Sequence, residues 1–137
     1  MSGFFGLQVI TKTGPSPGGG GFVGAYIEAA LAAGANANFN PGGVPAWPGT
    51  HAHPYGRLDL DTSAGDATLS GLVAGLDGQI MIVRNVGPHD LQLQDRNAGS
   101  LAANQFCIGP GDLDLIFDQS VAMVYYAGTV NQWVVQL

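Results

Sequence analysis

The sequence predicts an all-β fold: an antiparallel β-sandwich or jelly-roll-like barrel of about eight short strands, preceded by an extended Gly/Pro-rich arm. Three observations carry this expectation. Beyond residue 57, apolar and polar residues alternate with period two in a succession of short runs, as on half-buried strands. Turn residues separate those runs at the roughly 8–12-residue spacing of sandwiches and barrels. Charge, finally, is spread very unevenly. Residues 1–56 carry Lys12 and Glu28 as their acid and base side chains, histidines aside, while residues 57–137 carry the other twelve. The first segment also holds thirteen of the 22 glycines and six of the eight prolines. The chain therefore divides into an arm, 1–56, and a β-domain, 57–137.

Within the arm, Leu7-Gln8-Val9-Ile10-Thr11 has the look of a short strand that ends at a Gly/Pro run over residues 14–21. Such a run holds no regular structure. Residues 25–33 are good helix formers stopped by Gly34, which predicts one short helix. Alternation over residues 22–27 also permits a strand there. Residues 36–54, with prolines at 41, 45, 48 and 54 around Trp47, read as an extended segment that becomes ordered on contact.

In the domain, Arg57-Leu58-Asp59-Leu60-Asp61 alternates cleanly, and Ala67-Thr68-Leu69-Ser70 follows. The tight-turn dipeptide Asp77-Gly78 leads into residues 79–85, a strand apolar enough to be buried on both faces. Further strands are expected over 90–95, 105–108, 112–117, 120–126 and 132–136. The pairs Leu58/Leu60, Leu91/Leu93 and Leu113/Leu115 face one core, with Trp133 as its anchor. Asp59, Asp61, Asp112 and Asp114 fall on the opposite, solvated faces.

Composition limits function. Charged residues make up 10% of the chain against roughly 25% in an average domain, so much of the surface is expected to be covered by protein, most simply by further copies. A net charge of −6, with Lys12, Arg57, Arg84 and Arg96 scattered, argues against nucleic acid. The longest apolar run, residues 22–33, is too short to span a bilayer, and no basic segment precedes an apolar one at the start, so neither a membrane span nor a secretory signal is expected. The single thiol, Cys107, is expected to be a buried, inert side chain of a strand.

The domain also resembles a known one. Leu69-Ser70-Gly71-Leu72, Gly75-Leu76-Asp77-Gly78-Gln79-Ile80 and Val83-Arg84-Asn85-Val86-Gly87 are similar to a hairpin pattern of tailed-bacteriophage virion proteins. Residues 100–106 match its Ser-Ala-Asn-Phe stretch, and Gly111-Asp112, Tyr125-Tyr126 and Trp133 fall in its closing strands. The resemblance covers residues 66–137 and extends to head decoration, head-fibre and tail-fibre-tip proteins. It implies a non-enzymatic structural protein of the virion, assembled in the host cytoplasm, without cofactor and commonly trimeric. Its partners would be further copies of itself and the major capsid protein or another virion protein. The arm, with Phe4, Phe5, Phe22, Tyr26, Phe39 and Trp47 as apolar anchors, would attach it to the shell. A tail-fibre or baseplate component that binds a host-surface glycan is the alternative.

The sharpest local feature is Thr50-His51-Ala52-His53-Pro54. On a strand, His-x-His points both imidazoles to one face and supplies two metal ligands. A cupin-like metalloprotein would need a third ligand nearby, and no Asp or Glu lies between Glu28 and Asp59. Three chains on a threefold axis would instead bring six imidazoles together, enough for one octahedral metal. Polar histidines in a proline-rich loop are the plainer reading. Residues 19–24 spell G-x-G-x-x-G, but prolines 15 and 17 break the approach and no acid follows at the required spacing.

Overall fold

The computed structural model describes residues 25–127 and 131–137. Among these residues the chain is nearly all β, in two sheets, with one short 3-10 turn at Ala102–Asn104 and no α-helix. The larger sheet contains β1 (Ala25–Ala30), β3 (Tyr55–Asp61), β5 (Ile80–Asn85), β9 (Ser120–Tyr126), β10 (Gln132–Gln136) and β7 (Phe106–Cys107), in that spatial order. The smaller one contains β2 (Gly34–Asn36), β4 (Ala67–Leu69), β6 (Leu91–Leu93) and β8 (Leu113–Leu115).

Strand direction corrects the antiparallel expectation. From β1 to β6 the chain alternates between the sheets, and β1, β3 and β5 run parallel, as do β2, β4 and β6. Tyr26 lies beside Arg57, and Arg57 beside Ile82, so each circuit returns the chain to its starting sheet one strand over. Antiparallel pairing begins where the coil closes: β8 on β6, β9 on β5, and β10 on β9. Parallel neighbours require crossovers rather than hairpins. Up to β9 the turn residues that punctuate the sequence therefore mark passages from one sheet to the other.

The predicted helix is also corrected. Ala25–Ala30 forms an edge strand paired along its whole length with β3. Helix propensity is a weak prior that tertiary pairing overrides. Ile27 points inward, and Ala25 and Ala29 pack against the core. The fold thus includes residues of the segment read as an arm.

One cluster of buried side chains lies between the sheets. Leu58, Leu60, Leu91, Leu93 and Trp133 are fully buried, Leu115 is buried, and Leu113 packs at the margin. Each buried leucine contributes about 1.5–3 kcal/mol relative to an exposed one. Trp47 belongs to this core as well. It stacks on Tyr55 at 5.9 Å, lies 6.1 Å from Trp133, and donates its indole N–H to the Val73 carbonyl at 2.9 Å. Gln79 fixes the same loop from below, donating to the carbonyls of Tyr55 and Pro48 at 2.7 and 3.2 Å.

A second buried polar group closes the other end of the core. Asn85, fully buried at the end of β5, donates to the carbonyls of His89 and Leu115 and accepts from the Thr62 hydroxyl and the Gly87 N–H. A single amide thereby joins the ends of β3, β5 and β8 to the β5–β6 turn. Gly87 is obligatory here, since a Cβ at that position would lie 2.2 Å from the Thr62 nitrogen.

Candidate functional site

The outward face of the larger sheet divides into two regions. Positions 81, 83, 123, 125, 133 and 135 point into the core, so alternation sends their neighbours outward. Register then places Ile80, Val124, Val134 and Cys107 in one row across β5, β9, β10 and β7. The adjacent row runs Tyr26, Arg57, Ile82, Ala122 and Gln136. The next runs Glu28, Asp59, Arg84 and Ser120. The β9–β10 side is therefore apolar and the β1–β3 side charged.

The apolar region is uncovered. Ile80 is 66% exposed and Tyr126 44%, with Ile82, Val124, Val134 and Cys107 half-buried. The sequence of β5 reads as a strand buried on both faces, yet this chain buries one of them. Cys107 is likewise not the fully buried thiol expected: it faces outward, with the Arg96 guanidinium 3.6 Å from its sulfur.

The charged region forms an open cleft of about 390 Å³. Its centre is Asp59, expected on a solvated face but only 5% exposed. Arg57 donates to Asp59 Oδ2 at 2.9 Å, and its guanidinium lies 4.4 Å above the Tyr26 ring. Arg84 is held by Asp118 at 2.8 Å. Burial raises the Asp59 pKa above the ordinary carboxylate value, and attraction to Arg57 and Arg84 offsets this in part. Two atoms of the central pair, Asp59 Oδ1 and Arg57 Nε, are buried with no hydrogen-bond partner. Unsatisfied buried atoms are rare in folded proteins, and each costs about 1–3 kcal/mol. Ser63, at the rim of the cleft, donates its hydroxyl to Asp61 at 2.6 Å. What the cleft offers is hydrogen bonding.

The residues singled out in the sequence are not brought together. His51 and His53 lie on an exposed turn outside any strand, where the His53 N–H is bound to Thr50. Among the described residues no group of three His, Cys, Asp or Glu side chains is placed to hold a metal ion. Of the expected attachment anchors, Tyr26 and Trp47 are buried within this chain, and Phe39 packs against its core while bridging to Leu72. These three are parts of this chain's own fold. Phe4, Phe5 and Phe22 lie outside the described residues. Sequence reasoning missed the Asp59 cleft because Glu28 and Arg84 come from strands remote in the chain. No family model matches the chain, and no curated protein or solved structure matches it. No helix among the described residues is long and apolar enough to cross a membrane.

Proposed function

We propose that this chain is a structural component of a tailed-bacteriophage virion, a non-enzymatic capsid decoration or head-fibre protein that works as a homotrimer. The observation that carries the reading is the uncharged, uncovered face formed by Ile80, Ile82, Val124 and Val134. A contiguous exposed apolar patch marks an interaction surface. Its occupant is a further copy of this chain. The chain's net charge of −6 opposes contact elsewhere on the surface, whereas copies meeting through this face bring no like charges together. The low charge of the whole chain and the resemblance over residues 66–137 support the same reading, with the domain as a short β-sandwich projecting from the particle.

Attachment to the major capsid protein then falls to residues 1–24, since residues 25–47 serve the fold. Three copies presenting one such segment each would staple neighbouring shell subunits by avidity. The test is decoration of bare capsids by the full chain and by a chain beginning at Ala25. The full chain should occupy its sites, and the shortened chain should stay free although folded. Full occupancy by the shortened chain would refute attachment through the N-terminal segment. A tail-fibre or baseplate component is the second reading, favoured by the cleft at Asp59.

A further inference from the structure

Among the described residues the larger sheet ends at β1, and this edge is laid out to take one more strand. Leu31 donates its N–H to the Asp61 carbonyl at 3.0 Å, and β1 runs parallel to β3 with Ile27 beside Leu58 and Ala29 beside Leu60. Backbone groups alternate in direction along a strand, so residues 27 and 29 face β3 as Leu31 does. Residues 26, 28 and 30 turn their N–H and C=O groups the other way, in the plane of the sheet. Such an edge is a template for pairing unless proline or an inward-pointing charge blunts it. The six residues of β1 include no proline, and those on its core side, Ala25, Ile27 and Ala29, are apolar. Ala25 and Ala29 are only partly buried, so the core is open at this margin.

We propose that residues 7–12 of the same chain, which lie outside the described residues, pair with this edge as a parallel strand, Leu7 beside Ala25 and Lys12 beside Ala30. Twelve residues, 13–24, connect Lys12 to Ala25, and parallel neighbours need a crossover of about a dozen or more. The added strand continues the coil in which β1, β3 and β5 already run parallel. In this register Leu7, Val9 and Thr11 fall on the core side beside Ala25, Ile27 and Ala29 and close the open margin. Gln8, Ile10 and Lys12 fall on the charged side, where Lys12 joins the row of Ala30 and Asp61, next to that of Glu28 and Asp59. Charge favours this segment over β1 of a second copy. Residues 1–24 contain one lysine and no acid, whereas a second β1 would bring another Glu28 to a face where Glu28, Asp59 and Asp61 already outnumber Arg57 and Arg84. The inference does not depend on the virion reading, and it leaves residues 1–6, with Phe4 and Phe5, for attachment.

The experiment is hydrogen exchange of the full chain, followed amide by amide by NMR. The Tyr26 and Ala30 amides, which point away from β3, should exchange about tenfold or more slowly in the wild type than in Val9→Pro. Proline there deletes the N–H that this register directs at the Tyr26 carbonyl. Lys12→Glu, which sets a carboxylate beside Asp61 and Glu28, should speed the same two amides. Ser16→Pro, in the connecting segment, should leave them unchanged. Met81 and Val83, on β5 inside the sheet, should keep their protection in every variant, which separates loss of the added strand from loss of the fold. Rapid exchange of Tyr26 and Ala30 in the wild type would overturn the inference. So would protection that Val9→Pro and Lys12→Glu both leave in place, the result expected if β1 of a second copy covers the edge. Protection that fades on dilution would overturn it too, since a neighbouring copy would then supply the strand.

Discussion

Replacing Asn85 by alanine tests how far one amide holds the closed end of the fold. The Asn85 side chain makes four hydrogen bonds, to Thr62, Gly87, His89 and Leu115, from a fully buried position. In the variant the Thr62 hydroxyl can still donate to the His89 carbonyl, 2.9 Å away. The Gly87 N–H and the Leu115 carbonyl lose their amide partner inside the core, at about 1–3 kcal/mol each. With a small cavity added, the loss comes to about 3–5 kcal/mol, a large share of a typical net stability of about 5–15 kcal/mol. Urea denaturation followed by tryptophan fluorescence, which reports on Trp47 and Trp133, should show the midpoint falling by about 2 M at unchanged m. Asn85→Asp sharpens the test. It keeps the acceptor but not the donors, and it buries a charge, so it should be worse than alanine at neutral pH and recover as the carboxyl protonates. A loss below about 1 kcal/mol for Asn85→Ala would refute the claim that this amide organises the fold.

The same junction predicts that Gly87→Ala is destabilising by about 1–3 kcal/mol in the same assay, because its Cβ meets the Thr62 backbone rather than a movable side chain. A neutral outcome would mean that the β5–β6 turn is looser than drawn. Asp59 and Asp95 predict opposite pH dependences. Burial raises the folded-state pKa of Asp59 above 3.8, so its contribution is full below that value and lost as pH rises through the folded pKa. Asp95 is held below 3.8, chiefly by the Ile108 N–H at 2.8 Å, so its contribution is full above that value and lost as pH falls through the folded pKa. Stability curves of wild type minus Asp59→Asn should therefore slope down with pH, and those of wild type minus Asp95→Asn should slope up; equal slopes would contradict the burial of Asp59. Truncation gives a further contrast by circular dichroism. A chain starting at Ala25 should fold, whereas one starting at Arg57, lacking β1, β2 and Trp47, should not.

The core of this fold was largely legible and its topology was not. Period-two leucines at 58/60 and 91/93 are fully buried, and all eight runs expected after residue 57 contain strands, because alternation is a local property of the chain. Which strand neighbours which is not local. Turn spacing suggested hairpins, yet Asp77-Gly78 joins strands of different sheets, and a parallel coil has the same alternation as an antiparallel sandwich. The segment Ala25–Ala30 was misleading for a related reason: alanines favour helix until an edge of β3 is there to pair with. Asp59 shows the same limit at the candidate site. Its place after Leu58 marks it as outward-facing, but its burial depends on Arg57, which bonds to it and lies over the Tyr26 ring, and on neighbours at register positions 28 and 84. Trp47 was legible as an apolar anchor, though not as one for its own domain.

In the proposed assembly the outward face of β5, β9 and β10 is covered by other copies of the chain. Light-scattering mass of the purified full chain, beside an Ile80→Lys variant, tests it directly. Ile80 is 66% exposed in the single chain, so lysine there leaves the monomer's fold intact while placing a charge in the contact. The wild type should weigh three times 14.0 kDa and the variant should be a folded species near 14.0 kDa. A wild type at 14.0 kDa, or an assembly that Ile80→Lys leaves unchanged, would contradict it.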